Sequence, residues 1–305
     1  MDFSKLPTNF FATAMQFTKN IHDDQYPSID PTRKQLSLAG KIVVITGASR
    51  GLGAKAFAPA FAKAGVRGLV LLATNVDGLT NTSEQIQILN PSVQTLCIAT
   101  DISDVISVES AFEQILQVFG RNADILINNA GTNGDGEGRR IFDADVDTWW
   151  RQFEINAKGT FLVTRTFVNQ LQSAETPATV INLTTGAAWK GSPLLAGYGM
   201  SKLVALQQVN AIAACYPNIT AVALHPGLLE TDMLPRAMRR FDKDTPELVG
   251  GFAVWLCHPH ARFLSGRVVC AEWDVDDLLA RKDEIKAGAD LTIDLVGKLG
   301  AWNFS

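Results

Sequence analysis

The chain has 305 residues, 47% of them hydrophobic and 19% charged, with 27 Lys plus Arg against 31 Asp plus Glu. A chain of this length can bury roughly three quarters of its unfolded surface in one large α/β domain, so a substantial core is expected. The formal net charge of -4 supplies no broad positive field, which argues against nucleic acid and anionic membrane as partners.

Residues 1–37 read as an N-terminal arm: a short amphipathic helix carrying Phe10, Phe11, Met15 and Phe17, then an extended polar stretch around Pro27 and Pro31. Asp2 and the lack of arginine before Arg33 fit neither a secretory signal nor an Arg-rich transit peptide, so the cytoplasm is the expected location. From residue 41 the pattern changes. Residues 41–46 (KIVVIT) form a continuous apolar run closed by glycine, as in a strand buried on both faces of a parallel sheet. Then follow a helix over 54–64, strand 68–73, helix 82–89, strand 93–99 and helix 104–119. The alternation continues with strand 124–128, helix 147–171, strand 179–184, helix 199–215, strand 219–225 and strand 267–271. Strands alternating with helices give an α/β fold: a doubly wound parallel sheet of about seven strands with helices on both faces, over residues 38–275. Residues 230–244 read as a cover over a site, and residues 276–305 as a tail packing on the domain, within a charged surface helix over 274–286. No apolar run approaches the roughly 18 residues of a membrane span. Four scattered cysteines, Cys97, Cys215, Cys257 and Cys270, read as reduced core thiols.

The first chemistry-bearing motif is residues 46–53 (TGASRGLG), between the first strand and the first helix. Gly47, Gly51 and Gly53 let the backbone turn tightly and approach a pyrophosphate, while the helix N-terminus offers free N–H groups. Three residues separate the first two glycines, unlike the plain dinucleotide fingerprint. Tyr198 and Lys202 are four apart and share a helix face. A phenol is a sluggish acid or base at neutral pH unless positive charge lowers its pKa, and Lys202 and an oxidised nicotinamide would supply such charge. At the end of the second strand, where a carboxylate would bind the ribose hydroxyls of NAD, stand Thr74 and Asn75. Arg50 can offer its guanidinium to a 2′-phosphate, so NADP(H) is favoured over NAD(H), with Asp77 the residue that could reverse this if the strand ends later. Cys257, His258 and His260 cluster around Pro259, but too few partners accompany them for a metal site, and none is expected.

These motifs together resemble the short-chain dehydrogenase/reductase family, in its fungal members by the flavour of the arm and tail, across about residues 38–275. The resemblance implies a Rossmann-type fold and assigns Ser49 and Leu52 with the glycines to cofactor binding, Asp101 and Ile102 to the adenine, and Asn129, Ala130 and Gly131 to the NNAG element. It makes Asn156, Thr185, Tyr198 and Lys202 the catalytic set, with Tyr198 and Lys202 also touching the cofactor, and gives Pro226, Gly227, Leu229 and Thr231 to the nicotinamide carboxamide. Thr185 stands thirteen residues before Tyr198, where the family carries serine. Its hydroxyl can still donate to a substrate oxygen, while the extra methyl narrows the pocket. In this resemblance Asn156 holds a water in a proton relay from Lys202. The implied reaction interconverts a ketone and a secondary alcohol on a hydrophobic small molecule, of the kind found in secondary metabolism. Leu194, Leu195, Leu228, Leu229 and Met233 are the expected pocket walls; Trp189, Arg139 and Arg140 are further candidates. The family also implies a homodimer or homotetramer through the two long helices, with Phe167, Leu171, Leu203 and Leu206 on that face. Two alternatives use the same residues: an isomerase, dehydratase or cyclase on this scaffold, or a dinucleotide-binding sensor without turnover.

Overall fold

A computed structural model of the chain describes residues 5–134, 141–173, 175–192 and 195–295. The strands are β1 (Ile42–Thr46), β2 (Gly68–Ala73), β3 (Gln94–Ala99), β4 (Ile125–Asn128), β5 (Ala178–Leu183), β6 (Ile219–His225) and β7 (Arg267–Cys270). They form one parallel sheet in the order β3-β2-β1-β4-β5-β6-β7. The expected doubly wound sheet of seven strands is therefore present. All five residues of β1 are buried, and alternate side chains supply opposite layers: Val43 and Ile45 one core, Ile42 and Val44 the other. The strand order reverses between β1 and β4, which opens a crevice at their carboxyl ends.

One face of the sheet carries α2 (Ala58–Lys63), α3 (Val76–Leu89) and α8 (Pro246–Leu256); the other carries α4 (Val105–Phe119), α6 (Thr160–Asn169) and α7 (Ala196–Cys215). A π turn, Gly53–Phe57, runs into α2. Pro59 lies just beyond it and has no N–H to give to the preceding turn, which accounts for the widening there. The expected long helix over 147–171 is α5 (Val146–Phe153), a π turn at Glu154–Gly159 and then α6.

Helix α3 begins six residues before its expected start at Thr82, because Asn75 caps it by accepting the Gly78 N–H. Gly78 also lies against the Ser49 backbone, where a Cβ would come within 2.6 Å of the carbonyl oxygen. Helix α8 has no counterpart in the expected elements. It is buried all round, so it lacks the one-sided periodicity by which a surface helix is read, although Thr245 and Pro246 mark its start. Of the four cysteines only Cys270 is buried, and all are free. Cys97 and Cys215 are exposed rather than core thiols, since β3 is an edge strand and Cys215 ends α7.

The N-terminal segment contains α1 (Phe10–Ala14) and then folds back onto the sheet domain. Ile29, Leu36 and Leu38 enter the main core. Tyr26 donates its hydroxyl to the Trp273 carbonyl and accepts from the Val275 N–H, so the segment is clasped to the start of α9 (Val275–Ala280). The expected charged helix over 274–286 is two pieces, α9 and α10 (Lys282–Ala287), with Val275, Leu278 and Ile285 fully buried.

Candidate active site

The glycine loop closes against β4. Gly47 has φ +66, and a Cβ there would stand 2.8 Å from the Ala130 Cα. The Asn129 amide donates to the carbonyls of Thr46 and Gly47, and the Thr46 hydroxyl accepts from the backbone N–H groups of Asn129 and Ala130. Gly51, at φ +56, has open space where a Cβ would lie. This leaves a side-chain-free cradle at a helix start, into which a dinucleotide pyrophosphate fits. β2 ends at Ala73, so Thr74 and Asn75 do follow it, and Asp77 lies in the first turn of α3. Asn75 spends its side-chain oxygen on the helix cap. Arg50 pairs with Asp232 at 2.8 Å, both well exposed. Asp101 accepts from Ser103 and lies 3.6 Å from Arg151, while Ile102 is buried against Gly159.

Helix α7 carries Tyr198 and Lys202, and the family's tyrosine and lysine positions thus fall on one face. The Lys202 Nζ lies 6.0 Å from the Tyr198 ring centroid and donates to the Leu183 carbonyl at 3.0 Å. Gly131 approaches the same amine: a Cβ there would be 3.2 Å from it. Gly199 lets α7 come this close, since a Cβ there would meet the Ala187 carbonyl oxygen at 2.2 Å. Burial pushes the Tyr198 phenol up to about 12 and the Lys202 ammonium down to about 8. Desolvation is the cause in both cases.

Asn156 is fully buried in the π turn. Its amide donates to the Thr132 carbonyl at 2.7 Å and to the Ser201 hydroxyl at 2.9 Å, and its oxygen accepts from the Thr132 N–H at 2.8 Å. The side chain thus ties the loop after β4 to α7, and both of its N–H groups are already committed. Thr185, two residues beyond β5, is extended and its oxygen accepts from the Ala187 N–H at 3.4 Å, which leaves its own proton to donate.

Thr185 and Tyr198 open into a cavity of about 450 Å³. Leu52, Pro226, Gly227, Leu229 and Thr231 line it too, as do Leu195, Leu228 and Met233. Asn156 and Lys202 stand behind its wall, and Thr74, Asn75 and Asp101 lie away from it along the sheet edge. Trp189 is not a wall residue; it packs edge-on against His225 with ring centroids 6.1 Å apart. Leu194, Arg139 and Arg140 fall outside the described residues. Phe167 and Leu206 are core residues, while Val146, Trp150, Phe161, Met200 and Val204 are exposed apolar groups on those long helices.

The sequence reading gave no site role to four residues of the N-terminal segment, Phe10, Phe11, Ala14 and Met15, which form one side of the cavity. Phe11 meets Phe241 edge-on at 4.8 Å, the Asp242 N–H donates to the Thr8 carbonyl, and Lys190 donates to the Ala14 carbonyl. The amphipathic pattern was the signal for this helix, but not for what it covers. Glu272, just after β7, also reaches the cavity.

The sequence profile of the family described as short chain dehydrogenase matches residues 41–240. The short chain dehydrogenase pigC of Monascus ruber is 34% identical over 295 residues, 92% of this chain and 93% of that protein. The short chain dehydrogenase andI of Emericella variicolor is 32% identical over 287 residues, 91% of this chain and 95% of the relative. The chain spans 60% of the length of a further relative, the short chain dehydrogenase tazN of Aspergillus terreus, which is 34% identical over 281 residues, 88% of this chain. Among solved structures, the NADH complex of 3-ketoacyl-(acyl-carrier-protein) reductase from Brucella melitensis is 26% identical, with a TM-score of 0.67, 77% of this chain and 97% of that one being covered. With the profile spanning β1 to β6 and the glycine cradle in place, the chain belongs to the short chain dehydrogenase family, the NAD(P)-linked oxidoreductases.

Proposed function

We propose that the protein is an NADPH-dependent reductase that interconverts a ketone and a secondary alcohol on a hydrophobic small molecule of the secondary-metabolite kind. The observation that carries this reading is the shared cavity: Thr185 and Tyr198 line one mainly apolar chamber, with Leu52 of the glycine loop on the same wall. The dinucleotide, when bound, supplies the hydride. The Tyr198 phenol, held protonated by burial, donates its proton to the substrate oxygen as negative charge develops there. The Thr185 hydroxyl donates a second hydrogen bond to that oxygen and orients the carbonyl. Lys202, fixed by the Leu183 carbonyl, stabilises the phenolate that results and returns a proton to it within the same reductive turnover, its own proton being replaced from solvent. Asn156 acts as a positioning residue that holds the Thr132 loop against α7.

Preference for NADPH is supported by the absence of a carboxylate at the end of β2 and by Arg50, whose partner Asp232 is exposed and easily exchanged for a 2′-phosphate. The exposed side chains of Trp150, Phe161, Met200 and Val204 support a homodimer or homotetramer built on the long helices. No helix among the described residues is long and apolar enough to cross a membrane, and the cytoplasm is the proposed location. A panel of hydrophobic ketones assayed with NADPH and with NADH tests the reading, with Arg50→Ala run beside the parent. Substrate-dependent NADPH oxidation, reduced in the variant while NADH oxidation is spared, is expected; equal rates with both cofactors in the parent would overturn the NADPH preference, and no oxidation of either would overturn the reductase.

A further inference from the structure

The cavity beside Tyr198 is mainly apolar, with Asn133, Lys190, Ser192 and Thr231 also on its lining. Thr185 follows the end of β5, His225 ends β6 and Glu272 follows β7, so three neighbouring strands present a polar side chain to the same chamber. The register fixes this row: His225 pairs with Cys270, and the Ala271 N–H donates to the His225 carbonyl. Glu272 is 3% exposed. Among the described residues nothing hydrogen-bonds its carboxyl; Asp244, engaged with the Leu228 N–H, faces it, and both line a second cavity of about 210 Å³ together with His22, Asp23 and Lys243. The His225 Nδ1 is also buried without a partner. An unpartnered acid in a core is costly, and a group kept there at such a cost has a use outside the fold.

We propose that Glu272 is a specificity residue that binds a second hydrogen-bonding group of the substrate, and that the substrate is a hydrophobic ketone with a hydroxyl at its far end. This rests on the reductase reading for the position of the ketone. Two strand spacings, about 10 Å, separate the β5 and β7 ends. Side chains reaching inward from both ends shorten that gap to one that a small ring system bridges. Phe11, Met15 and Leu228 wall the same chamber, which suits a flat ring system between the two anchors. Burial holds Glu272 protonated at neutral pH, its pKa pushed up to about 8, so that it presents both a donor and an acceptor to a hydroxyl. His225, pushed down to about 4 by burial, stays neutral beside it.

The test uses 1-tetralone and 6-hydroxy-1-tetralone, which differ only in the distal hydroxyl. Calorimetry on the protein loaded with NADP+, which cannot reduce them, gives their affinities, and NADPH oxidation gives kcat and KM. The parent is expected to bind the hydroxylated ketone roughly tenfold more tightly, with the difference lying in KM rather than kcat. Glu272→Leu removes the preference and Glu272→Gln keeps part of it, while thermal unfolding of both variants shows that they are folded. Equal affinity for the two ketones in the parent, or the same preference in Glu272→Leu, would overturn the assignment. Preference in binding without any turnover would leave Glu272 in place and refute the reductase reading instead.

Discussion

Replacing Glu272 with glutamine isolates what this carboxyl costs the fold. Its pKa stands at about 8 against 4.5 for the ordinary group, because burial and the nearby Asp244 both disfavour the charged form. Between those two values the folded chain keeps a proton that the unfolded chain has released. Stability therefore falls as pH rises from about 4.5, and the loss levels off above about 8. From about pH 5 to about pH 8.5 the loss is on the order of 4 kcal/mol, against a domain margin of roughly 5–15 kcal/mol. Asp244, raised to about 7 by burial and facing Asp23 and Lys243, destabilises in the same direction in both proteins and cancels between them. Urea unfolding of the parent and of Glu272→Gln at the two pH values measures the difference. The variant is expected to gain on the parent by that amount as pH rises; stability curves that run parallel across the range would refute the burial argument.

Gly227 has φ +84, and a Cβ there would stand 2.3 Å from the Asp244 Oδ2 that accepts from the Leu228 N–H. Gly227→Ala is expected to cost about 2–4 kcal/mol in urea unfolding through backbone strain and the broken hydrogen bond; an unchanged midpoint would show that the loop adapts. In the reductive direction kcat/KM is expected to hold level to about pH 7.5 and to fall above about 8 as Lys202 releases its proton. Lys202→Arg moves that decline upward, and a variant profile still breaking at the parent's pH would assign the titration to another group. Phe11→Ala widens the cavity on its N-terminal side and is expected to raise KM for planar ketones about tenfold with NADPH affinity unchanged, as read from steady-state kinetics and calorimetry.

The sheet was legible because strands buried on both faces are continuous apolar runs, as in 41–46, and because the glycines after β1 have a chemical reason to be there. Tyr198 and Lys202 were legible from helical spacing joined to family resemblance. Other features depend on contacts between distant segments. Helix α3 starts early because Asn75 caps it, and its first turn is seated by Gly78 on the Ser49 backbone, a contact with no local trace. Helix α8 hides because a helix buried on every side has no polar face to set its period. Phe10 and Phe11 announced an amphipathic helix, but the surface it covers belongs to residues far along the chain, such as Lys190 and Phe241. Glu272 reads in sequence as one more acidic residue near the tail, and only the fold reveals that it is buried at the cavity.

The central claim is that the Tyr198 hydroxyl supplies the proton to a substrate oxygen in this cavity. Single-turnover oxidation of bound NADPH by a hydrophobic ketone, compared between the parent and Tyr198→Phe, measures it most directly. The predicted result is a rate lower by roughly a thousandfold with NADPH affinity unchanged. A phenylalanine variant that oxidises NADPH within tenfold of the parent rate would contradict it.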